Sequence, residues 1–169
     1  MKAVGVILAV GVALALQTSL ARFLIRGTVA VDLVFVVVVY VALTSGPVTG
    51  LLTGTVAGLV QDALSSGVIG IGGLAKTVVG FLAGIAGTQF IVAQPLSRFV
   101  VFSVASLLHS VIFIGLYVML DLRQFGAPYA AVLGQATGNA VVGVVAFQLS
   151  ELVPSAMERR RIQKSRLRR

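Results

Sequence analysis

The sequence predicts an all-α integral membrane protein in which six transmembrane helices form one bundle. Hydrophobic residues make up 58% of the chain and charged residues only 11%, whereas about a quarter of the residues in a soluble domain are charged. The apolar residues fall into stretches of roughly bilayer length, separated by glycine, proline or charge. Seven of the 13 lysines and arginines lie after Ser155, so the rest of the chain would expose a large apolar surface in water. Hydrocarbon is therefore its expected solvent.

The first three predicted spans cover residues 3–21, 29–44 and 48–64. The first resembles a secretory signal peptide, with Lys2 before an apolar run, but a soluble mature domain does not follow it, so we interpret it as a retained helix. Half of the residues in the second span are valine, which favours strands in water. In lipid the backbone must satisfy its own hydrogen bonds, which favours a helix. Ser45-Gly46-Pro47 ends this span.

The last three predicted spans cover residues 74–92, 99–120 and 129–149. A glycine-rich loop at 65–73 precedes the fourth span, a turn around Pro95 separates it from the fifth, and a polar loop at 121–128 leads to the sixth. The connection between the second and third spans is very short, so five spans are the alternative count.

Lysine and arginine are unevenly divided between the two sides of the six-span arrangement. The side of the termini would hold nine of them and the other side four. Because short cytoplasmic segments carry the excess of basic residues, both termini are predicted to be cytoplasmic. A five-span chain would place the N-terminus outside. The chain then divides into a membrane bundle at residues 1–153 and a basic cytoplasmic tail at residues 154–169.

The tail is expected to act as a topology signal, and to attract either anionic lipid or an acidic cytoplasmic partner. Its basic residues are Arg159, Arg160, Arg161, Lys164, Arg166, Arg168 and Arg169.

Glycines recur every four residues in the third and fourth spans, which places them on one face of each helix. They are Gly50, Gly54, Gly58, Gly80 and Gly84. In an antiparallel hairpin that is symmetric about Ile69, Gly58 would face Gly80. Gly54 would likewise face Gly84, and the two backbones could approach closely.

Ionisable residues at the ends of these spans are expected to pair. The hairpin register would place Asp62 opposite Lys76 at the non-cytoplasmic end. The pair would either cap the hairpin or mark a functional site, since ionisable groups in membranes are expensive and often functional. Asp32, near the outer end of the second span, could pair with Arg22 or Arg26.

Polar residues within the last two spans are few. His109 lies in the fifth span and could relay protons, although a lone histidine more often makes an interhelical hydrogen bond. Gln135 and Asn139 lie one turn apart on the sixth span, beside Gly134 and Gly138. These residues suit helix–helix bonding or the lining of a small cavity.

The composition argues against several classes of function. The chain has no cysteine, which excludes disulfides, thiolate metal sites and cysteine nucleophiles. One histidine without an HExxH pair, and no closely spaced carboxylates, predict neither a catalytic site nor a metal or cofactor site. The stretch Gly70 to Thr77 lacks the glycine that precedes the lysine of a phosphate loop. The confinement of basic charge to one tail indicates a membrane surface and not nucleic acid.

One run of the sequence combines several of these features in a fixed order. An Asp-Leu pair opens a hydrophobic span, a short glycine break follows, and glycines lead into Gly-Leu-x-x-Asp, a glycine-rich loop and a second glycine-bearing span. The matching residues are Asp32-Leu33, Gly46, Gly50, Gly54, Gly58-Leu59-Val60-Gln61-Asp62, Gly67, Gly70, Gly80 and Gly84. This pattern resembles that of the rod shape-determining protein MreD family, and the chain length, helix count and basic tail agree with it.

The resemblance implies a non-catalytic scaffold subunit of the bacterial cell-elongation (rod) complex. Such a subunit would lie in the cytoplasmic (inner) membrane, bind MreC and support cell shape and peptidoglycan synthesis. Implied further partners are MreB and the peptidoglycan synthases, and homo-oligomerisation is left open. The partner would bind to a glycine face, either that of the third span or that at Gly134 and Gly138.

The same resemblance supplies an alternative function. The MreD fold is similar to that of the six-helix substrate-binding subunits of energy-coupling-factor vitamin transporters, so the chain could be such a subunit. A vitamin pocket needs convergent polar and aromatic groups. With no tryptophan, three tyrosines and short outer loops, the sequence offers few of them.

Overall fold

The computed structural model describes residues 3–23, 31–65, 67–89, 94–122 and 129–166, and their side chains at 3–19, 31–65, 67–89, 94–122 and 129–152. The regular structure of these residues is entirely α-helical, as predicted. The six helices are α1 (Ala3–Phe23), α2 (Leu33–Ser45), α3 (Pro47–Leu64), α4 (Ile71–Gln89), α5 (Pro95–Met119) and α6 (Tyr129–Arg166). Each overlaps one predicted span, and α4 and α5 begin a few residues earlier than predicted.

Among the described residues, three helical segments are long and apolar enough to cross a membrane. They are Ile71–Gln89, Pro95–Met119 and Tyr129–Leu152. Two shorter apolar segments are Ala3–Ser19 and Leu33–Ser45. At 1.5 Å per residue, the 13 residues of α2 extend for only about 20 Å, less than the roughly 30 Å of a hydrocarbon core. Six separate crossings therefore stay a prediction.

The short helix α2 lies at the centre of the fold and contacts all five other helices. It is apolar on every side, which is the pattern of a helix that is surrounded by protein. Its fully buried residues are Val34, Phe35, Val38, Val39, Val41 and Ala42. Packing against the neighbouring helices therefore overrides the preference of valine for strands.

Both ends of α2 are set by local sequence. The Asp32 carboxylate accepts a hydrogen bond of 2.9 Å from the backbone N–H of Phe35, which caps the helix. At the other end Gly46 has φ +89°, a conformation that glycine adopts without strain. Pro47 then occupies the first turn of α3, where its missing N–H is not needed.

Helices α3 and α4 form an antiparallel hairpin with very close backbone contact. A Cβ atom at Gly50 would clash with the carbonyl group of Gly80. One at Gly54 would clash with the carbonyl group of Lys76. Glycine at these positions therefore lets the two backbones touch, which increases their dispersion contacts.

The predicted register of this hairpin is wrong. Gly58 lies against Gly73 and not against Gly80, whose neighbour is Gly50. Gly84 lies against Pro47 and not against Gly54. The neighbour of Gly80 is thus displaced by about two helical turns along α3.

The side chain of Asp62 explains this displacement. Its Oδ2 atom accepts hydrogen bonds from the backbone N–H groups of Gly70, at 2.9 Å, and Gly73, at 3.0 Å. The free N–H groups and the positive end of the dipole favour a carboxylate at a helix N-terminus. The first turn of α4 is therefore held beside the last turn of α3. As a result, later residues of α4 face residues nearer the start of α3 than they would in the predicted hairpin symmetric about Ile69.

The outer surface of the bundle is strongly apolar. Ile7, Val48, Val111 and Leu133 are each at least 60% exposed. A continuous surface of such residues would be unstable in water but is suited to hydrocarbon. Apolar side chains outside and polar groups inside are the arrangement expected of a membrane protein.

Candidate functional site: a buried polar centre

A buried ion pair joins the start of α2 to α4. The Lys76 Nζ atom lies 2.9 Å from the Asp32 Oδ2 atom, and both side chains are less than one tenth exposed. The same Nζ atom lies 3.4 Å from the Nε2 atom of His109 on α5. A charged lysine can only donate, so Nε2 is the acceptor in this contact. The pair therefore connects three helices.

Hydrogen bonds extend this centre to two further helices, α6 and α3. The backbone N–H of Asp32 donates to the Asn139 Oδ1 atom on α6 at 2.8 Å, and the Asn139 Nδ2 atom donates to the Ser106 Oγ atom at 2.9 Å. The Gln61 Nε2 atom on α3 donates to the Asp32 Oδ1 atom at 3.3 Å. Five helices thus meet at one polar network around Asp32.

Two predicted ion pairs must be corrected or set aside. Lys76 pairs with Asp32 and not with Asp62, because the hairpin register places Lys76 opposite Gly54, about two turns from Asp62 along α3. Asp62 instead receives backbone N–H groups at the start of α4. The predicted partners of Asp32 in the first loop, Arg22 and Arg26, lie outside the described side chains.

The ion pair holds three helices together inside the bundle. An isolated charge in the interior of a bundle costs several kcal/mol, and a close partner with further hydrogen bonds offsets much of that cost. Lys76 and Asp32 therefore stabilise α2, α4 and α5 against each other only while both charges are present.

A cavity of about 450 Å³ opens beside the ion pair, at the end of the bundle where α3 ends and α4 begins. Its wall combines charged, amide, hydroxyl and aromatic groups. Lining residues that bear such groups are Asp32, Gln61, Asp62, Ser65, Lys76, His109, Ser110, Phe113, Tyr117 and Gln135. Its volume lies within the range of small-molecule sites, although the sequence offered few convergent polar groups.

The remaining predicted site residues lie on α6 or in the tail. Gln135 reaches the cavity from α6, one turn before Asn139. Gly134 and Gly138 are half-buried in the same helix. The backbone of α6 continues as a helix through the tail as far as Arg166, while its basic side chains, and Arg168 and Arg169 altogether, lie outside what the structure describes.

One polar contact gave no signal in the sequence. The Arg98 guanidinium donates to both carboxylate oxygens of Glu151, at 3.2 and 2.5 Å, and lies 4.5 Å from the centre of the Phe147 ring. Arg98 and Glu151 are 53 positions apart, so no helical spacing connects them. The contact joins the start of α5 to α6 at the opposite end of the bundle from the cavity. Gln61 and Ser106 were also not predicted as site residues.

Comparison with protein families identifies the kind of membrane protein in which this buried polar network occurs. The model of the rod shape-determining protein MreD family matches residues 1–148. The chain belongs to the MreD family. The match includes the ion pair, the hairpin and a little over half of α6.

Membership of the MreD family implies a role in rod shape determination and an association with the shape-determining complex. The family and the apolar helices together indicate a membrane protein. The match lends no support to the alternative of a vitamin-transporter subunit. No curated protein and no solved structure matches the chain.

Proposed function

We propose that this chain is a non-catalytic scaffold subunit of the bacterial cell-elongation complex, which binds MreC and supports cell shape and peptidoglycan synthesis. It lies in the cytoplasmic (inner) membrane with both termini in the cytoplasm. The family match over residues 1–148 is the observation that supports the proposal. The bundle agrees with it, because an apolar outer surface can pack against a partner's membrane helix through van der Waals contact.

The partner helix of MreC needs a surface that the bundle does not already use. The glycines of α3 and α4 are occupied, since Gly50, Gly54 and Gly58 all lie against the backbone of α4. An apolar groove of about 670 Å³ runs instead between α1 and α3. A Cβ atom at Gly11 in this groove would meet nothing within 4 Å. We place the MreC helix here, because small residues allow close helix approach.

Co-purification with MreC tests the proposal. The tagged chain, co-expressed with MreC and extracted in a mild detergent, is expected to recover MreC. The Gly11→Leu variant fills the groove and should lower recovery by about tenfold, the effect of losing roughly 1.4 kcal/mol of packing. Gly115→Leu is the matched control, because Gly115 on α5 also faces open space but lies outside the groove.

Three outcomes of this experiment count against the proposal. Failure of the unaltered chain to recover MreC contradicts MreC binding. Equal losses in the two leucine variants contradict the groove as the binding surface. Recovery of paired ATPases with a coupling protein supports the transporter alternative.

The basic tail gives the scaffold a cytoplasmic contact. Seven basic residues follow Ser155, and each one near a membrane surface contributes about 1 kcal/mol of attraction to anionic lipid. In the proposed topology, the same segment is available to MreB or another acidic partner. The scaffold would then hold components on the two sides of the membrane in register.

A further inference from the structure

One residue that lines the cavity beside the ion pair has a hydrogen-bond acceptor that the described residues leave unused. The Gln61 Oε1 atom is buried and accepts no hydrogen bond from any described residue. A buried acceptor without a partner is costly, and the Gln61 side chain lines the cavity, so a small rotation of its amide towards the cavity would let Oε1 accept from a bound donor. The amide nitrogen of the same side chain donates to Asp32, which orients the oxygen.

The charges around the cavity also favour a donor with positive charge. Asp32 and Asp62 both line it, against the single cation Lys76, with His109 counted as neutral. Lys76 is paired with Asp32, so the Asp62 carboxylate is the charge left without a side-chain counterion among the lining residues. The N-terminus of α4 offsets part of that charge and holds the carboxylate in place through two backbone N–H groups.

A row of aromatic rings forms another part of the wall. His109, Phe113 and Tyr117 follow each other at intervals of four residues on α5. The ring centres are 6.0 Å apart between His109 and Phe113, and 4.9 Å apart between Phe113 and Tyr117. All three residues line the cavity. The faces of aromatic rings attract cations, most strongly where water is excluded.

From these three observations we propose that the cavity binds a primary ammonium group. The ammonium N–H groups donate to the Asp62 carboxylate and, after a small rotation of the Gln61 side chain, to its Oε1 atom. The charge lies against the aromatic row. Two sources share this chemistry, a free small amine and the ethanolamine headgroup of a phospholipid. Residues from the ends of α3 and α5 and the start of α6 line the cavity, so it opens at the end of the bundle. In the proposed topology this end faces outwards, at the level of lipid headgroups.

Native mass spectrometry of the full chain tests this proposal without any partner protein, so its outcome is independent of MreC binding. The protein in detergent is given equal amounts of phosphatidylethanolamine and phosphatidylcholine with identical acyl chains. Choline has the same charge as ethanolamine but no N–H donor. Retention of phosphatidylethanolamine is expected to be at least about fivefold greater than that of phosphatidylcholine, because only ethanolamine can donate charge-assisted hydrogen bonds.

Two substitutions and two controls locate the site. Asp62→Asn removes the charge but keeps an oxygen that can accept hydrogen bonds from the start of α4. Phe113→Leu removes a ring and leaves the hydrogen bonds between Asp62 and α4 in place. Asp62→Asn should reduce the preference for phosphatidylethanolamine by about threefold or more. Phe113→Leu should instead reduce the retention of both lipids, because an aromatic face attracts a quaternary ammonium as well as a primary one. The control Asp121→Asn removes an exposed carboxylate outside the cavity, and the control Val111→Ala alters the lipid-facing side of α5. Both should behave like the unaltered chain.

Free ethanolamine distinguishes the two sources of the ammonium group. Its binding is followed by saturation-transfer NMR, with and without phosphatidylethanolamine. Competition between the two indicates that the site accepts either source, and binding of only one identifies that one as the ligand. Equal retention of the two lipids together with no ethanolamine binding overturns the proposal. It is equally overturned if Asp62→Asn keeps the full preference and Phe113→Leu retains both lipids as the unaltered chain does.

Discussion

Lys76 shows how a single charge can be retained inside an apolar bundle. Its ammonium lies 2.9 Å from a carboxylate and 3.4 Å from an imidazole. The backbone carbonyl group of Lys76 lies against Gly54 of α3. The carboxylate of Asp32 is itself held by the N–H of Phe35 and the amide of Gln61. Both ions therefore exchange water for fixed partners, as buried pairs must.

Removal of one partner should destabilise the protein more than removal of both. Lys76→Met leaves the Asp32 carboxylate buried without its counterion, and we expect the free energy of unfolding to fall by about 3–5 kcal/mol. Adding Asp32→Asn should restore part of the loss, because the uncompensated charge disappears. Denaturation of the purified protein, analysed as a double-mutant cycle, measures the coupling between the two residues.

The lipid-facing substitution Val78→Met on α4 serves as the control and should change the unfolding free energy by less than about 0.5 kcal/mol. Additive losses for Lys76→Met and Asp32→Asn would contradict an energetic connection between the two charges.

At the scale of elements, the α3–α4 hairpin depends on the absence of side chains. Gly50, Gly54, Gly58, Gly80 and Gly84 all lie where a Cβ atom would meet backbone atoms of the facing chain. Backbone cannot move aside as the end of a flexible side chain can, so the hairpin must open to admit even a methyl group.

Gly54→Ala should therefore destabilise the protein, although alanine is the better helix former. We expect a loss of about 1–3 kcal/mol from overpacking against the carbonyl group of Lys76. Gly115→Ala on α5 is the matched substitution, because its new methyl group meets nothing within 4 Å. Since alanine in a helix interior gains about 1 kcal/mol over glycine, the sign there should be opposite or near zero.

Thermal unfolding of the two variants beside the unaltered chain makes this comparison. A Gly54→Ala protein that unfolds at or above the temperature of the Gly115→Ala protein would show that the backbone contact at α3 and α4 is not required.

At the scale of the whole molecule, the distribution of charge relates the fold to the membrane. The buried network around Asp32 and the cavity lie towards one end of the bundle, and Arg98 with Glu151 lies at the other. Most basic residues follow Ser155, beyond the same end as Arg98. In the six-span topology the cavity end is therefore outside and the basic end is cytoplasmic.

Single cysteines test this topology, because the chain has none of its own. In cells, Leu122→Cys after α5 should react with a membrane-impermeant maleimide added outside. Ala3→Cys and Gln94→Cys should react only after permeabilisation. Labelling of Ala3→Cys in intact cells would favour the five-span alternative, in which the N-terminus is outside while Leu122 and Gln94 keep their sides.

Much of the architecture follows from patterns that are local in the chain. Apolar segments of helical length separate at Gly46-Pro47 and Pro95, and the observed helices begin or end there. Glycines at intervals of four share a face whatever their partner, so close packing of α3 and α4 was predictable. The family resemblance also rested on such local motifs, and the match to the MreD family confirms it.

Only the tertiary structure decided which groups meet. Asp32 and Lys76, 44 positions apart in the chain, pair because Asp62 caps α4 and so sets the register of the hairpin. Asn139 reaches the same centre from 107 positions away. Local sequence determines which residues can form a helix and which face they share, since those depend on neighbours within one turn. Which helix packs against that face depends on the packing of all the helices together. The sequence of a single segment does not carry that information.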